Sequence, residues 1–259
     1  MKLFQVDAFT DELFAGNPAA VCPLEQWISA DVMQKIAAEN NLSETAFFVK
    51  QADGAYHIRW FTPTAEVDLC GHATLATAHV LFAHLGHCED SVRFHSASGP
   101  LRVNRMGDFL QLDFPRQDPQ LSKMPEYLVE GLGMTPGAVL RHQDYIAVLN
   151  NAADIATMAP DFRTLSRIET RGICVTARGE DCDFVCRFFA PAWGIDEDPV
   201  TGSAYCELAP FWAEQLGKTR MTARQLSTRG GIVQCELQKD RVLIGGQART
   251  YLIGDIPDM

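Results

Sequence analysis

Two short blocks of this chain occur twice, in the same order and at nearly the same spacing. Arg59-Trp60-Phe61-Thr62-Pro63-Thr64 and Arg187-Phe188-Phe189-Ala190-Pro191-Ala192 both read Arg-aromatic-Phe-small-Pro-small. Glu66-Val67-Asp68-Leu69-Cys70-Gly71-His72-Ala73 is answered by Glu197-Asp198-Pro199-Val200-Thr201-Gly202-Ser203-Ala204, with three extra residues around Trp193-Gly194-Ile195 in the second copy. Weaker matches precede each pair: Ala20-Val21-Cys22 with a helix-like Asp31–Ala38, and Ala147-Val148-Leu149 with Asp161–Leu165. A period this long describes a duplicated domain and not a solenoid. A chain of 259 residues has room for two such domains and needs neither disulfide nor metal to hold a core.

Alternating apolar runs read as strands. In the first half they are Phe4–Ala8, Thr45–Val49, Tyr56–Phe61, Val92–His95, Leu101–Arg105 and Phe109–Phe114. In the second they are Tyr145–Leu149, Gly172–Thr176, Phe184–Phe189, Ile232–Leu237, Arg241–Ile244 and Tyr251–Ile253, with Lys239-Asp240 as a hairpin turn. One long helix follows each repeated block. The first runs from His72 to Leu85 and stops at Gly86; it has almost no polar face, so it belongs in an interior. The second runs from Ser203 to Leu216, stops at Gly217, and contains Pro210, which should kink it or restrict its first turns. Many strands around one buried helix, twice over, predict an α+β fold of two barrel-like or strongly curved domains. The expected boundaries are 1–115 and 126–259, with Pro115–Pro125 as linker and the option that the last residues pair with the first domain.

Each repeated block sets a glycine at the entrance of its helix. The first turn of a helix has unpaired N–H groups and a partial positive charge, and glycine lets a ligand approach the backbone. Gly71-His72 and Gly202-Ser203 therefore read as two anion-binding mouths, expected to face a small carboxylate lying between the two halves; tight packing alone would also call for glycine there. Glu44 lies where a polar loop meets an apolar strand. Half-burial there would raise its pKa into the range useful for acid–base work, although on residues alone it reads first as a surface or capping glutamate. Among Asp196-Glu197-Asp198, the first two read as helix-dipole compensation, and Asp198, closest to Gly202, is the functional candidate. His72, at a helix start, is expected to be mostly neutral near pH 7. His84, His87 and Cys88 form a loose group for which metal binding is conceivable, but a helix C-terminus attracts histidine without any metal.

The formal charge of -11 is spread along the chain and argues against nucleic acid or an anionic membrane as partner. No apolar run reaches the roughly 18–20 residues of a membrane span, and the first residues show no signal-peptide core. The eight cysteines form no CxxC pair, so they read as free thiols in a reducing cytoplasm. The chain has no GxGxxG before a helix, no GxxxxGK[ST] loop and no GxSxG elbow, so no nucleotide cofactor is indicated.

Several segments together resemble the phenazine-biosynthesis-protein-F-like (PhzF) family, nearly end to end and in the family's order. They are Phe4-Gln5-Val6-Asp7-Ala8-Phe9, Gly16-Asn17-Pro18-Ala19, Asn41-Leu42-Ser43-Glu44-Thr45-Ala46-Phe47, Arg59-Trp60-Phe61-Thr62-Pro63, Glu66–Thr74 and Glu197–Ala204. The resemblance implies a diaminopimelate epimerase-like fold: two pseudo-symmetric domains, each a curved sheet on a central helix. It implies a cofactor-independent isomerase with no metal, acting on a small carboxylated substrate, and a homodimer. By the same resemblance Glu44 shuttles the proton, as in isomerisation of a dihydro-hydroxyanthranilate, while His72 and Asp198 assist. Gly71, Gly202 and Ser203 would bind substrate, with Cys70 and Thr201 beside them at the two mouths. One departure is Tyr205, where many members carry histidine, at a position bordering the pocket mouth.

Two other readings compete. A two-base racemase or epimerase using thiols needs a cysteine at each mouth; Cys70 fills the first, but Thr201 cannot supply a thiolate at the second. A non-catalytic carboxylate-binding protein would keep the cleft without turnover.

Overall fold

A computed structural model describes residues 1–257. It divides into two compact units: Met1–Asp113 with the segment from Gly245 onward, and Phe114–Ile244. Among the described residues no helix is long and apolar enough to cross a membrane.

The first unit runs β1 (Lys2–Ala8), β2 (Asn17–Leu24), α1 (Ala30–Asn40), β3 (Glu44–Lys50), β4 (Tyr56–Phe61), β5 (Glu66–Val67), α2 (Gly71–Ala83), β6 (Ser91–Ser96), β7 (Gly99–Met106) and β8 (Phe109–Pro115). β1 and β2 are antiparallel, β2 and β3 parallel, β3 and β4 antiparallel. β4 pairs antiparallel with β5 and parallel with β6, and β6, β7 and β8 continue antiparallel. The turn into β2 needs Gly16: its φ is +65°, and a Cβ there would sit 2.2 Å from the Ala8 carbonyl oxygen.

The second unit runs β9 (Gln120–Leu121), α3 (Leu128–Leu132), β10 (Ala138–Arg141), β11 (Tyr145–Val148), α4 (Ala152–Thr157), α5 (Phe162–Leu165), β12 (Ile173–Arg178), β13 (Phe184–Ala190), β14 (Ile195–Asp198), α6 (Tyr205–Leu216), β15 (Arg220–Gln225), β16 (Gly231–Leu237) and β17 (Arg241–Gly246), after which the chain forms β18 (Ala248–Asp255). Its pairing repeats that of the first unit. β11 and β12 are parallel, β12 and β13 antiparallel, and β13 pairs antiparallel with β14 and parallel with β15, which is antiparallel to β16. The duplication read from two motifs is thus a duplication of strand order. Its register corrects one detail. Phe61 pairs with Thr45 and Phe189 with Ile173. Those two residues in turn face Ala20 and Tyr145, so Ala20-Val21-Cys22 corresponds to Tyr145-Ile146-Ala147 and not to Ala147-Val148-Leu149. The extra residues of the second copy are taken up by a 3-10 turn, Pro191–Trp193, and a register shift between Phe188 and Ala190.

The ends of the sequence-level domains differ from these units. β18 lies antiparallel along β1, from Lys2 opposite Asp255 to Ala8 opposite Ala248, so it belongs with the first unit. An uncovered β1 edge would leave a row of backbone groups open, and β18 fills it. The stretch Pro115–Pro125 is no free linker, because β9 within it pairs with β10.

α2 is buried from His72 through Ala78 and again at Val80 and Leu81. It touches β18, β1, β2, β3 and β7. One helix reaches strands far apart in the pairing order only if the sheet curls around it. Its buried threonines bond within the helix, Thr74 Oγ1 to the Cys70 carbonyl at 2.6 Å and Thr77 Oγ1 to that of Ala73 at 2.7 Å. α6 runs through Pro210 to Gly217, which caps it at φ 66°. Proline removes the N–H that the Cys206 carbonyl would receive, and the Gln117 N–H takes its place at 3.1 Å.

Each repeat also carries the same ion pair. Arg59 forks onto Glu66 at 2.6 and 2.7 Å, and Arg187 onto Glu197 at 2.7 and 2.9 Å. Glu197 is therefore an arginine partner, which corrects its reading as helix-dipole compensation. The copies differ in setting. Arg187 is 9% exposed and also donates to the Ile155 and Met158 carbonyls at the end of α4, whereas the Arg59 and Glu66 side chains are 26% and 40% exposed. Breaking a buried pair strands a charge, while an exposed pair contributes little. Arg187→Ala should therefore lower unfolding free energy in urea by about 3 kcal/mol, and Arg59→Ala by about 1 kcal/mol or less. Equal losses would contradict the asymmetry.

Candidate active site

Glu44 opens β3 because the chain must leave α1 sharply. Asn41 caps α1 in the left-handed region at φ 50°, its N–H bonding to the Ala37 carbonyl, and Asn40 Nδ2 donates to Thr45 Oγ1 at 3.1 Å. Strand alternation then divides the side chains. Phe47 joins Cys22, Met33, Ile36, Ala37 and Phe61 in the core under α1, so Glu44, Ala46 and Phe48 face the other side of the sheet.

There Glu44 meets the first turn of α2. His72 Nε2 lies 3.1 Å from Glu44 Oε2, and His72 Nδ1 lies 3.5 Å from Cys70 Sγ. The His72 and Glu44 side chains are 7% and 15% exposed. The close atoms, Glu44 Oε2 and His72 Nε2, are not aligned as donor and acceptor, and each is buried without a hydrogen-bond partner. Cys70 is the N-cap residue of α2, and its side chain does not cap the turn.

The charges follow from these distances. Burial raises the Cys70 thiol, and the Glu44 carboxylate adds to this, so Cys70 stays protonated. Burial alone would lower the His72 imidazole, but Cys70 and Glu44 outweigh it and hold His72 well above its usual range. The neutral His72 expected from its helix position is thereby corrected: a carboxylate at 3.1 Å overrides the helix dipole. A protonated Cys70, with a threonine and no thiol at the equivalent position 201 of the second copy, also gives no support to two-thiol chemistry.

Ligand-type atoms of Glu44, Cys70 and His72 lie within 4.8 Å of one another. The imidazole stands between the other two and turns a different nitrogen to each. The His84, His87 and Cys88 group is dispersed. His84 Nε2 contacts Thr250 Oγ1 at 2.7 Å, His87 Nε2 contacts the Ser91 carbonyl at 3.0 Å, and the Cys88 thiol turns to the Gly86 carbonyl.

In the second unit, Asp198 Oδ2 accepts from Thr201 Oγ1 at 2.6 Å. Gln225 braces both, donating to the Asp198 carbonyl at 2.8 Å and accepting the Thr201 N–H at 3.0 Å. Gly202 and Ser203 form a 3-10 turn, Gly202–Ala204, that leads into α6. Tyr205 does not border a mouth: it is fully buried, with its hydroxyl 3.4 Å from Cys186 Sγ. Sequence reasoning missed Asp144, Arg171 and Glu207, which cluster with Ser203. The available signal was a glutamate inside the apolar stretch Tyr205–Trp212.

The family model of phenazine biosynthesis-like proteins matches residues 6–254. This chain belongs to the PhzF family. An uncharacterised isomerase of Pseudomonas aeruginosa is 50% identical over 99% of this chain and 98% of its own. The crystal structure of a PhzF-family protein from Enterococcus faecalis superposes with a TM-score of 0.95 at 45% identity, covering 98% of this chain and 97% of that one. A probable proline racemase from Agrobacterium radiobacter matches at TM-score 0.68 and 11% identity over 99% of this chain and 92% of that one, which shows the shared epimerase-like fold alone. This PhzF-family chain is accordingly an enzyme of the isomerase class with that α+β fold.

The electrostatics can be checked by imidazole NMR. His72 should be the histidine that keeps its proton to the highest pH. His79, lowered by burial and by His84 to about 4, should be the last to gain one on acidification. A His72 ring that titrates below the ordinary imidazole range of about 6.5 would contradict the assignment.

Proposed function

We propose that this protein is a cofactor-independent isomerase that moves a proton on a small carboxylated substrate, with Glu44 as general acid and base. One observation carries the reading: Glu44 Oε2 and His72 Nε2 meet at 3.1 Å at the opening of a buried helix, and beyond that contact neither has a hydrogen-bond partner. Buried polar atoms are almost always satisfied, so such atoms at a helix opening call for a water, an ion or a ligand to complete them.

The Glu44 carboxylate takes a proton from an activated carbon, and the C–H electron pair moves into the substrate's conjugated system. The same carboxyl group returns the proton to another carbon, so the step is redox-neutral. His72, held protonated, offsets the negative charge that develops on the substrate and donates a hydrogen bond to it. Cys70 fixes the ring from its Nδ1 side. The open first turn of α2 at Gly71 offers N–H groups to the substrate's carboxylate. In the second unit Asp198 is assigned an assisting role, and Gly202, Ser203 and Thr201 are assigned to substrate binding.

The test is solvent deuterium incorporation into small cyclic and amino-acid carboxylates, followed by NMR. The protein should catalyse exchange into at least one of them. Glu44→Gln should keep the circular dichroism spectrum and lower exchange by about 10²-fold or more. Undiminished exchange in a folded Glu44→Gln protein would defeat the assignment.

A further inference from the structure

The first turn of α6 carries a polar cluster that the acid–base centre does not use. Asp144, just before β11 and 1% exposed, receives a fork from Arg171: Nε donates to Oδ1 at 2.9 Å and Nη2 donates to Oδ2. The remaining guanidinium nitrogen, Nη1, donates to Ser203 Oγ at 2.9 Å. Glu207, one turn along α6 from Ser203, is 1% exposed. Its Oε1 accepts the Gln143 and Asp144 N–H groups, each at 3.3 Å, and its Oε2 is buried without a partner.

The repeat shows where Arg171 stands. Thr45 and Ile173 occupy the same place in the two copies, so the position of Glu44 in the first copy is that of Gly172 in the second, beside Arg171. His72 and Ser203 are likewise equivalent. In both copies the second residue of the helix mouth is met by a charged side chain from the first residue of, or the turn just before, the strand that precedes the repeated blocks. The first copy supplies a carboxylate to an imidazole, and the second supplies a guanidinium to a hydroxyl.

That difference fixes what Ser203 can do. A hydroxyl has one hydrogen and two acceptor sites. With a guanidinium N–H on one acceptor site, the hydrogen turns away from Arg171 and the hydroxyl is polarised as a donor. Resting on the reading of Gly202 and Ser203 as carboxylate-binding residues, we propose that Arg171, held by Asp144, is a positioning residue that presents the Ser203 hydroxyl as a hydrogen-bond donor to a ligand carboxylate.

Glu207 gives this arrangement a pH dependence. Its carboxyl is pushed up to about 7, by burial first and by the Asp144 charge second, with Arg171 and the two N–H groups opposing. The groups in its electrostatic reach are Asp144, Arg171, Cys206 on α6 and Cys174 on β12. Both cysteines are raised and stay thiols. Below about pH 7 the Asp144–Arg171–Glu207 set is neutral; above it, one negative charge opposes an incoming carboxylate.

Isothermal titration with benzoate, anthranilate and L-proline on the full-length protein tests this. Ser203→Ala should weaken binding of the best ligand by about tenfold. Arg171→Lys keeps a charge for Asp144, but a point charge cannot fork onto Asp144 and reach Ser203 together, so it should weaken binding to a similar degree. The double variant should bind no worse than Ser203→Ala alone, a coupling that loss of stability would not produce. Should Arg171→Lys fail to fold, Asp144→Asn with Arg171→Gln removes both charges and replaces it in the cycle. Affinity of the unsubstituted protein should fall about three- to tenfold from pH 6 to pH 8, and Glu207→Gln should flatten that slope. A loss with Ser203→Ala but none with Arg171→Lys, or additive losses, would overturn the role of Arg171 and leave the binding site standing. No loss with Ser203→Ala, or no binding of any of the three acids, would overturn both.

Discussion

Helix α2 has no face fit for water. From His72 to Leu81 only His79 escapes burial, so the sheet of the first unit has to curl around the helix to cover it. That requirement places the candidate site. A helix buried on all sides still has a first turn of unpaired N–H groups, and here the turn opens where β3 begins. Glu44 and His72 are brought together because one residue starts the strand and the other starts the helix.

The two copies kept the scaffold and diverged in their charges. Strand pairing and the arginine–glutamate fork are common to both. The first copy turned its helix opening into a carboxylate–imidazole pair held between a thiol and an open turn. The second built a buried Asp144–Arg171 pair that reaches Ser203 and tied its Asp198 to Thr201.

Much of this was readable in the residues. β4 follows its apolar alternation from Tyr56 to Phe61, and α6 ends at the expected Gly217. Glu44 was readable only through kinship, because on residues alone a glutamate between loop and strand looks like a surface group. Other features were invisible for physical reasons. β18 lies along the open edge of β1, a pairing the residues left only as an option because a free edge leaves no local mark. The His72 charge depends on a carboxylate distant in sequence. Asp144, Arg171 and Glu207 sit on separate elements, and only the glutamate among apolar neighbours gave a hint. Pro210 is tolerated because the Gln117 N–H, remote in sequence, supplies the hydrogen bond to the Cys206 carbonyl that proline removes.

If Glu44 and His72 form the proposed acid–base centre, a crystal structure with a bound carboxylic acid should place Glu44 Oε2 and His72 Nε2 within about 3 Å of the ligand, with the acid's carboxylate against N–H groups of a helix opening. A ligand seated elsewhere, with those two side chains still facing only each other, would contradict it.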